Sequence, residues 1–334
     1  AVSSGTAALH VSVAALGIGP SDEVITTPMT FCATANAALY QGANVRFVDI
    51  DENTLNLDPR LIEEKITERT RAIMPVDFRG HPANLPEIKI ITEKHNLKVI
   101  EDGSHSIAST YTHNGKVHHC GDGVHADLCT YSFHPVKHIT TGEGGMITTN
   151  DKELAERLRR LRNHGASVSE ETRHHDPKPH ALPVFDDIGF NYRMTDMQGS
   201  VGLEQLHKLE QFISERAEWA EWYRQKLSEF DWIRCPVESQ HGCHGWQAFV
   251  TWIDPVKSPV SRNDLMDRLH ARGIATRPGT HALHDLGAYR KYQSNCPVAS
   301  ECAAQTMALP FHNRMTGEDY IRVVEELKRV AISG

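Results

Sequence analysis

The sequence predicts an α/β protein, with a large, mostly parallel sheet domain and a smaller α+β domain behind it. Three observations predict this. Short apolar strands alternate with amphipathic or apolar helices through the first half, the pattern of parallel strands joined by helical crossovers. A helical pattern from Thr195 to Leu227 runs with Gly199 and Gly202 as its only breakers, the length of a helix that passes from one domain to the next. The chain has 334 residues, of which 40% are hydrophobic, enough for two cores without a disulfide or a structural metal.

The elements follow in order. Ala1 to Ser4 reads as a strand already under way, so upstream residues are expected to precede this numbering. Thr6 to Leu16 is an apolar helix closed by Gly17. Glu23–Thr26 is a strand, Thr30 to Tyr40 a helix and Val45 to Val48 a strand. Asp58-Pro59 is an N-cap followed by proline at the first helical position. Ala72 to Val76 is a strand, Leu85–His95 a helix, and Leu97 to Ile100 a strand that delivers Glu101 and Asp102 to the sheet edge. Leu128 to Phe133 and Gly145 to Thr149 are strands, and Asp151 to Arg162 is a charged helix stopped near Gly165. Past the long helix come a strand (Gln247 to Ile253), a helix (Arg262 to Arg272), a strand near Ile274 to Thr276, and helices from Val298 to Met307 and from Thr316 to Val330. The domains are expected at 1–215 and 216–334.

Charge and composition exclude several classes. The chain carries 35 Lys and Arg against 43 Asp and Glu, a net charge of −8, which disfavours nucleic-acid binding. No apolar run is long enough to span a membrane. Seven cysteines without a CxxC pair point to a reducing, cytoplasmic setting. Among the 21 histidines, His174, His175 and His180 read as a polar loop rather than a metal site, and no metal is expected.

Four segments fall where ligands of open α/β sheets bind, at the carboxyl ends of strands. Ser3 to Leu9 brings a strand end through Gly5 into a helix whose first N–H groups suit a phosphate, though Ser4 or Thr6 also reads as an ordinary helix cap. Val99 to His105 presents Asp102, a carboxylate able to keep a ring nitrogen protonated or to cap a helix. Tyr131 to Gly145 places Lys137 after a strand and before a glycine-rich turn, where desolvation makes a lysine a competent nucleophile. Gly189 to Asp196 precedes the long helix, with Thr195 as its N-cap. No glycine fingerprint of a dinucleotide fold or phosphate loop is present.

Together these segments resemble the DegT/DnrJ/EryC1/StrS family of pyridoxal-phosphate-dependent sugar aminotransferases, of fold type I. The resemblance rests on SSGTAAL at 3–9, TFCATANA at 30–37, VIEDGSH at 99–105, SFHPVKHITTGEGG at 132–145, RNHG at 162–165 and GFNYRMTDMQ at 189–198, and it weakens beyond Leu227. It implies that Lys137 binds pyridoxal 5'-phosphate covalently and then moves protons, and that Asp102 faces the pyridine nitrogen. Gly5, Thr6 and Ser132 would hold the phosphate, Phe31 would stack on the ring, and His105 would lie near the ring hydroxyl. Asn191 would reach the phosphate of a neighbouring subunit, giving a homodimer with shared sites.

The implied reaction moves an amino group from an amino acid, commonly glutamate, to a nucleotide-linked ketosugar. His134 in SFHPVK matches members that aminate C4 of 4-keto-6-deoxyhexoses, as in polysaccharide biosynthesis. Two alternatives have different signatures. Sugar dehydratases of this fold replace the lysine with histidine, whereas Lys137 is present. A non-catalytic regulatory member would act by binding alone, and turnover separates it. Two departures stand out: relatives usually carry some 40–50 residues before the SSGTAAL strand, and they often show an aromatic before a Pro-Leu-His where Thr276 to His284 stands here.

Overall fold

The computed structural model describes residues 1–168, 182–237, 242–292 and 294–332. The polar loop of His174, His175 and His180 therefore lies outside the described residues.

A six-stranded sheet organises the first half in the order β2-β1-β3-β4-β7-β8. Its strands are β1 (Glu23–Thr26), β2 (Asn44–Phe47), β3 (Thr70–Met74), β4 (Lys98–Asp102), β7 (Leu128–Ser132) and β8 (Gly145–Thr148). All pair in parallel except β8, which runs antiparallel to β7. Between β4 and β7 lie β5 (Thr110–His113) and β6 (Lys116–His119), a hairpin absent from the sequence reading; β10 (Gly242–Cys243) extends it.

Helix α1 (Gly5–Ala15) is buried along nearly its whole length, as an Ala- and Val-rich helix without a polar face must be. It packs on α2 (Cys32–Tyr40), on β7 and on α4 (Lys152–Leu161). Helix α3 (Leu85–His95) has its expected bounds, with Asn84 capping its first turn and Asn96 left-handed at its end. Asp58-Pro59 opens a single 3₁₀ turn, Pro59–Leu61, not an α-helix.

Three further expectations are corrected. Ala1 to Ser4 is not a strand but one bridge, Val2 to Gly145. The long helix is two: α5 (Asp196–Leu206), opened by a capping box of Thr195 and Gln198, and α6 (Leu209–Leu227). Near Ile274 to Thr276 the extended segment is instead β12 (Arg277–Pro278).

The C-terminal part holds α7 (Arg262–Ala271), α8 (Pro297–Gln305), α9 (Gly317–Ile332) and an antiparallel sheet ordered β12-β13-β11-β9. Its other strands are β9 (Ile233–Arg234), β11 (Phe249–Ile253) and β13 (Thr306–Leu309). Aromatic packing dominates its core: Tyr223, Phe249 and Tyr320 are fully buried, and Trp219 stacks on Tyr320 with ring centroids 4.2 Å apart. Ala282, Leu283, Ala299 and Cys302, although late in the chain, join the core of the first half with Leu9, Phe47 and Ile100.

Candidate active site

The sheet brings three of the four sequence segments to one edge, at the start of α1 and the ends of β4 and β7. Helix α1 packs closely on β7. A Cβ added to Gly5 would fall 2.7 Å from Ser132 Cβ, so only glycine lets the start of α1 approach the end of β7 this closely. Ser4, not Thr6, is the N-cap, accepting the Ala7 N–H at 3.0 Å. Thr6 and the Ser132 hydroxyl stay partly accessible beside the first turn of the helix. The result is a small polar cradle at the positive end of a helix dipole, the fit a phosphate requires.

One strand over, β4 ends in Glu101 and Asp102, whose side chains alternate to opposite faces. Asp102 is buried and accepts the Thr34 hydroxyl at 2.7 Å and the Ser104 N–H at 3.2 Å. Thr34 belongs to α2, and Phe31, with 65% of its surface exposed, immediately precedes that helix. An exposed aromatic at the start of the helix whose Thr34 holds the carboxylate suits a flat, protonated heterocycle. Glu101 instead joins Asp77 and Cys120 in a buried group whose polar atoms lie within 4.8 Å of one another. Burial and the neighbouring Asp77 push the Glu101 carboxyl well above its ordinary range.

Lys137 follows β7 in a turn closed by its own N–H to the His134 carbonyl at 2.9 Å. Burial pulls its ammonium down from 10.5 to about 8; Asp102 opposes this shift and Arg277 adds to it. His105 is held far below the ordinary histidine range by burial, with Lys137, His138 and Arg277 adding to the effect. Its Nδ1 accepts the Arg79 N–H at 3.1 Å, which leaves the proton of the neutral ring on Nε2. Arg79 and Gly80 both have left-handed backbones, and a Cβ on Gly80 would come within 3.0 Å of the His105 carbonyl oxygen and the Trp246 nitrogen. Gly80, a breaker between two strands, is the one sequence signal of this turn.

Lys137 opens onto a cavity of about 770 Å³ between the two halves of the chain, walled also by Arg216, Gln247, Arg277 and Phe311. Asn191 stands apart from this group: it is exposed, bridges to Asn163 beyond α4, and is followed by Tyr192, whose carbonyl accepts the Ser3 N–H at 2.8 Å. Thr34 lies within the TFCATANA segment at 30–37, where Phe31 alone drew attention, and the cavity arginines lie in none of the quoted motifs.

A phosphate cradle, a held carboxylate and a depressed amine on one sheet edge define a pyridoxal-phosphate site by the chemistry of their donors. Comparison with known proteins agrees. The family model of the DegT/DnrJ/EryC1/StrS aminotransferases matches residues 1–328. The chain is 36% identical to a GDP-perosamine synthase of Caulobacter vibrioides over 334 residues, covering 99% of this chain and 85% of that one. It superposes on the aminotransferase TlmJ of Streptoalloteichus hindustanus with a TM-score of 0.89 at 30% identity, covering 99% and 85% of the two chains. It also matches the Streptococcus pneumoniae putative sugar aminotransferase Spr1654 in its PMP form, with a TM-score of 0.89 at 25% identity and 99% and 87% covered. The chain belongs to the DegT/DnrJ/EryC1/StrS aminotransferase family and is a pyridoxal-phosphate-dependent enzyme. Among the described residues no helix is long and apolar enough to cross a membrane.

Proposed function

We propose that this enzyme transfers an amino group from an amino acid, glutamate being the expected donor, to C4 of a nucleotide-linked 4-keto-6-deoxyhexose in the cytoplasm. The observation that carries the reading is the placement of Lys137, an amine half-deprotonated near pH 8, between the Asp102 carboxylate and a large cavity. Pyridoxal phosphate, when bound, supplies an aldehyde and an electron-withdrawing ring. Lys137 would hold the aldehyde carbon through Nζ. Once displaced, the same Nζ would move the proton between the substrate carbon that bears the nitrogen and the former aldehyde carbon, in one direction with the amino donor and in the other with the keto acceptor. Asp102, oriented by Thr34 and Ser104, keeps the ring nitrogen protonated. His105 would donate from Nε2 towards the ring oxygen, Phe31 would cover one ring face, and Gly5, Thr6 and Ser132 would hold the phosphate.

The assembly is a homodimer in which Asn191 reaches the partner's phosphate. Exposed Ile188, Met197, Val201 and Leu203, in and beside α5, support an apolar interface next to Asn191. The GDP-perosamine synthase relative favours a GDP-linked acceptor. The test is incubation with glutamate and a panel of UDP-, GDP- and dTDP-4-keto-6-deoxysugars, followed by mass. Gain of an amine on one of them is expected. Conversion to a deoxygenated product without nitrogen would replace the reading with a dehydratase.

A further inference from the structure

The cavity beside Lys137 is unusual for this chain. Acidic residues outnumber basic ones by 43 to 35 overall, yet among the described residues no Asp or Glu lines the cavity. Lys137, Arg216, Arg277 and Arg314 line it instead, with His138 and His312. An acid-free wall carrying several cations selects anions.

The arginines differ in what they are free to do. Arg216 is buried and committed: it donates to Asn313 Oδ1 at 2.8 Å and to the carbonyls of Trp246 and Gln247 at 3.0 and 3.2 Å. Arg277 is the reverse. Its backbone is fixed by pairing with Ala308, by the pairing of Pro278 with Met307, and by the Gly279 N–H on the Thr306 carbonyl. Its guanidinium has no hydrogen bond or ion pair to the described residues, and its charge is felt at both Lys137 and His105. A free guanidinium on a fixed base is poised to form the paired bonds by which arginine grips a carboxylate.

We propose that Arg277 binds the carboxylate of the amino donor and so selects an amino acid over a simple amine. The proposal rests on the aminotransferase reading. Carboxylate is favoured over the diphosphate of the acceptor for a geometric reason. A donor's α-carboxylate is one bond from the carbon that carries the reacting nitrogen, so its anchor must lie close to Lys137. A nucleotide sugar's diphosphate is separated from the reacting carbonyl by the sugar ring.

Calorimetric titration of the cofactor-loaded protein with succinate, a dicarboxylate with no amine to react, isolates binding from turnover. GDP serves as the diphosphate probe. Arg277→Gln is expected to weaken succinate on the order of 10–100-fold, the loss of a charged hydrogen-bonded pair, and to leave GDP within about two-fold. Arg277→Lys, which keeps the charge without the fork, is expected to fall between. The proposal is overturned if unaltered protein does not bind succinate, if Arg277→Gln leaves succinate binding unchanged, or if GDP binding falls as much as or more than succinate binding. Should succinate binding depend on Arg277 while no ketosugar is aminated, the function reading fails and this one stands.

Discussion

An amine buried beside a guanidinium gives up its proton early, and Lys137 is in that position. The consequence for stability has a definite sign. In the cofactor-free protein, the folded state holds the Lys137 proton less tightly than the unfolded chain does. The cost of burying its charge is therefore full below pH 8 and fades as pH rises from about 8 through 10.5, where the unfolded lysine also deprotonates. Lys137→Met should thus stabilise cofactor-free protein at pH 7, with a smaller gain at pH 10, in denaturant melts at the two values. The same shift governs chemistry. The rate at which the cofactor-free protein captures pyridoxal phosphate should climb as pH passes through about 8, and borohydride reduction should leave the label on Lys137 in a peptide map. A label on another lysine would remove Lys137 from its proposed role.

At the scale of elements, the junction of α1 with β7 is open to test by a single substitution. Gly5→Ala would drive a methyl to 2.7 Å from Ser132 Cβ. Overpacking of this kind costs about 1–3 kcal/mol, so the melting temperature should fall and cofactor affinity drop by about 10-fold or more. Ser132→Gly in the same chain makes room for the methyl and should restore stability more than affinity, since the hydroxyl is lost from the cradle. Unchanged affinity in Gly5→Ala would show that the cradle lies elsewhere.

Elements with strong local signals were legible in the sequence. Helix α3 has an Asn cap at one end and a left-handed Asn at the other, and β1 is a short run of apolar and β-branched residues. The β5–β6 hairpin was legible too, and overlooked: Asn114-Gly115, both with positive φ, is the usual two-residue turn between alternating strands. The break between α5 and α6 was not. No Gly or Pro marks His207-Lys208, so tertiary packing rather than propensity decides it. Lys137, Asp102 and Gly5 stood out because each sits in a motif. Thr34 sits in a motif too, but its bond to Asp102 is made across 68 residues, and Arg277 reaches the cavity by long-range packing that no local pattern records.

The proposed whole molecule is a dimer, and its shared sites make a prediction that no property of one chain would produce. Asn191 is exposed in the single chain, on the stretch that leads into α5, where Ile188 and Met197 are also exposed. The Ser3 N–H bonds to the Tyr192 carbonyl, which ties the residue after Asn191 to the segment just before its own chain's α1. The two possibilities separate in mixed dimers. Lys137→Ala removes the nucleophile, and Asn191→Asp sets a negative charge against a phosphate, strongly unfavourable away from water. If Asn191 serves the partner, a dimer of one chain of each kind has one site with both lesions and one with neither. Random pairing makes half the dimers mixed, each with one good site of two, so co-expression should recover about a quarter of full activity. If Asn191 serves its own chain, each site of the mixed dimer carries one lesion and no activity returns. Mixed dimers verified by intact mass yet inactive would therefore send Asn191 back to its own subunit and end the shared-site proposal.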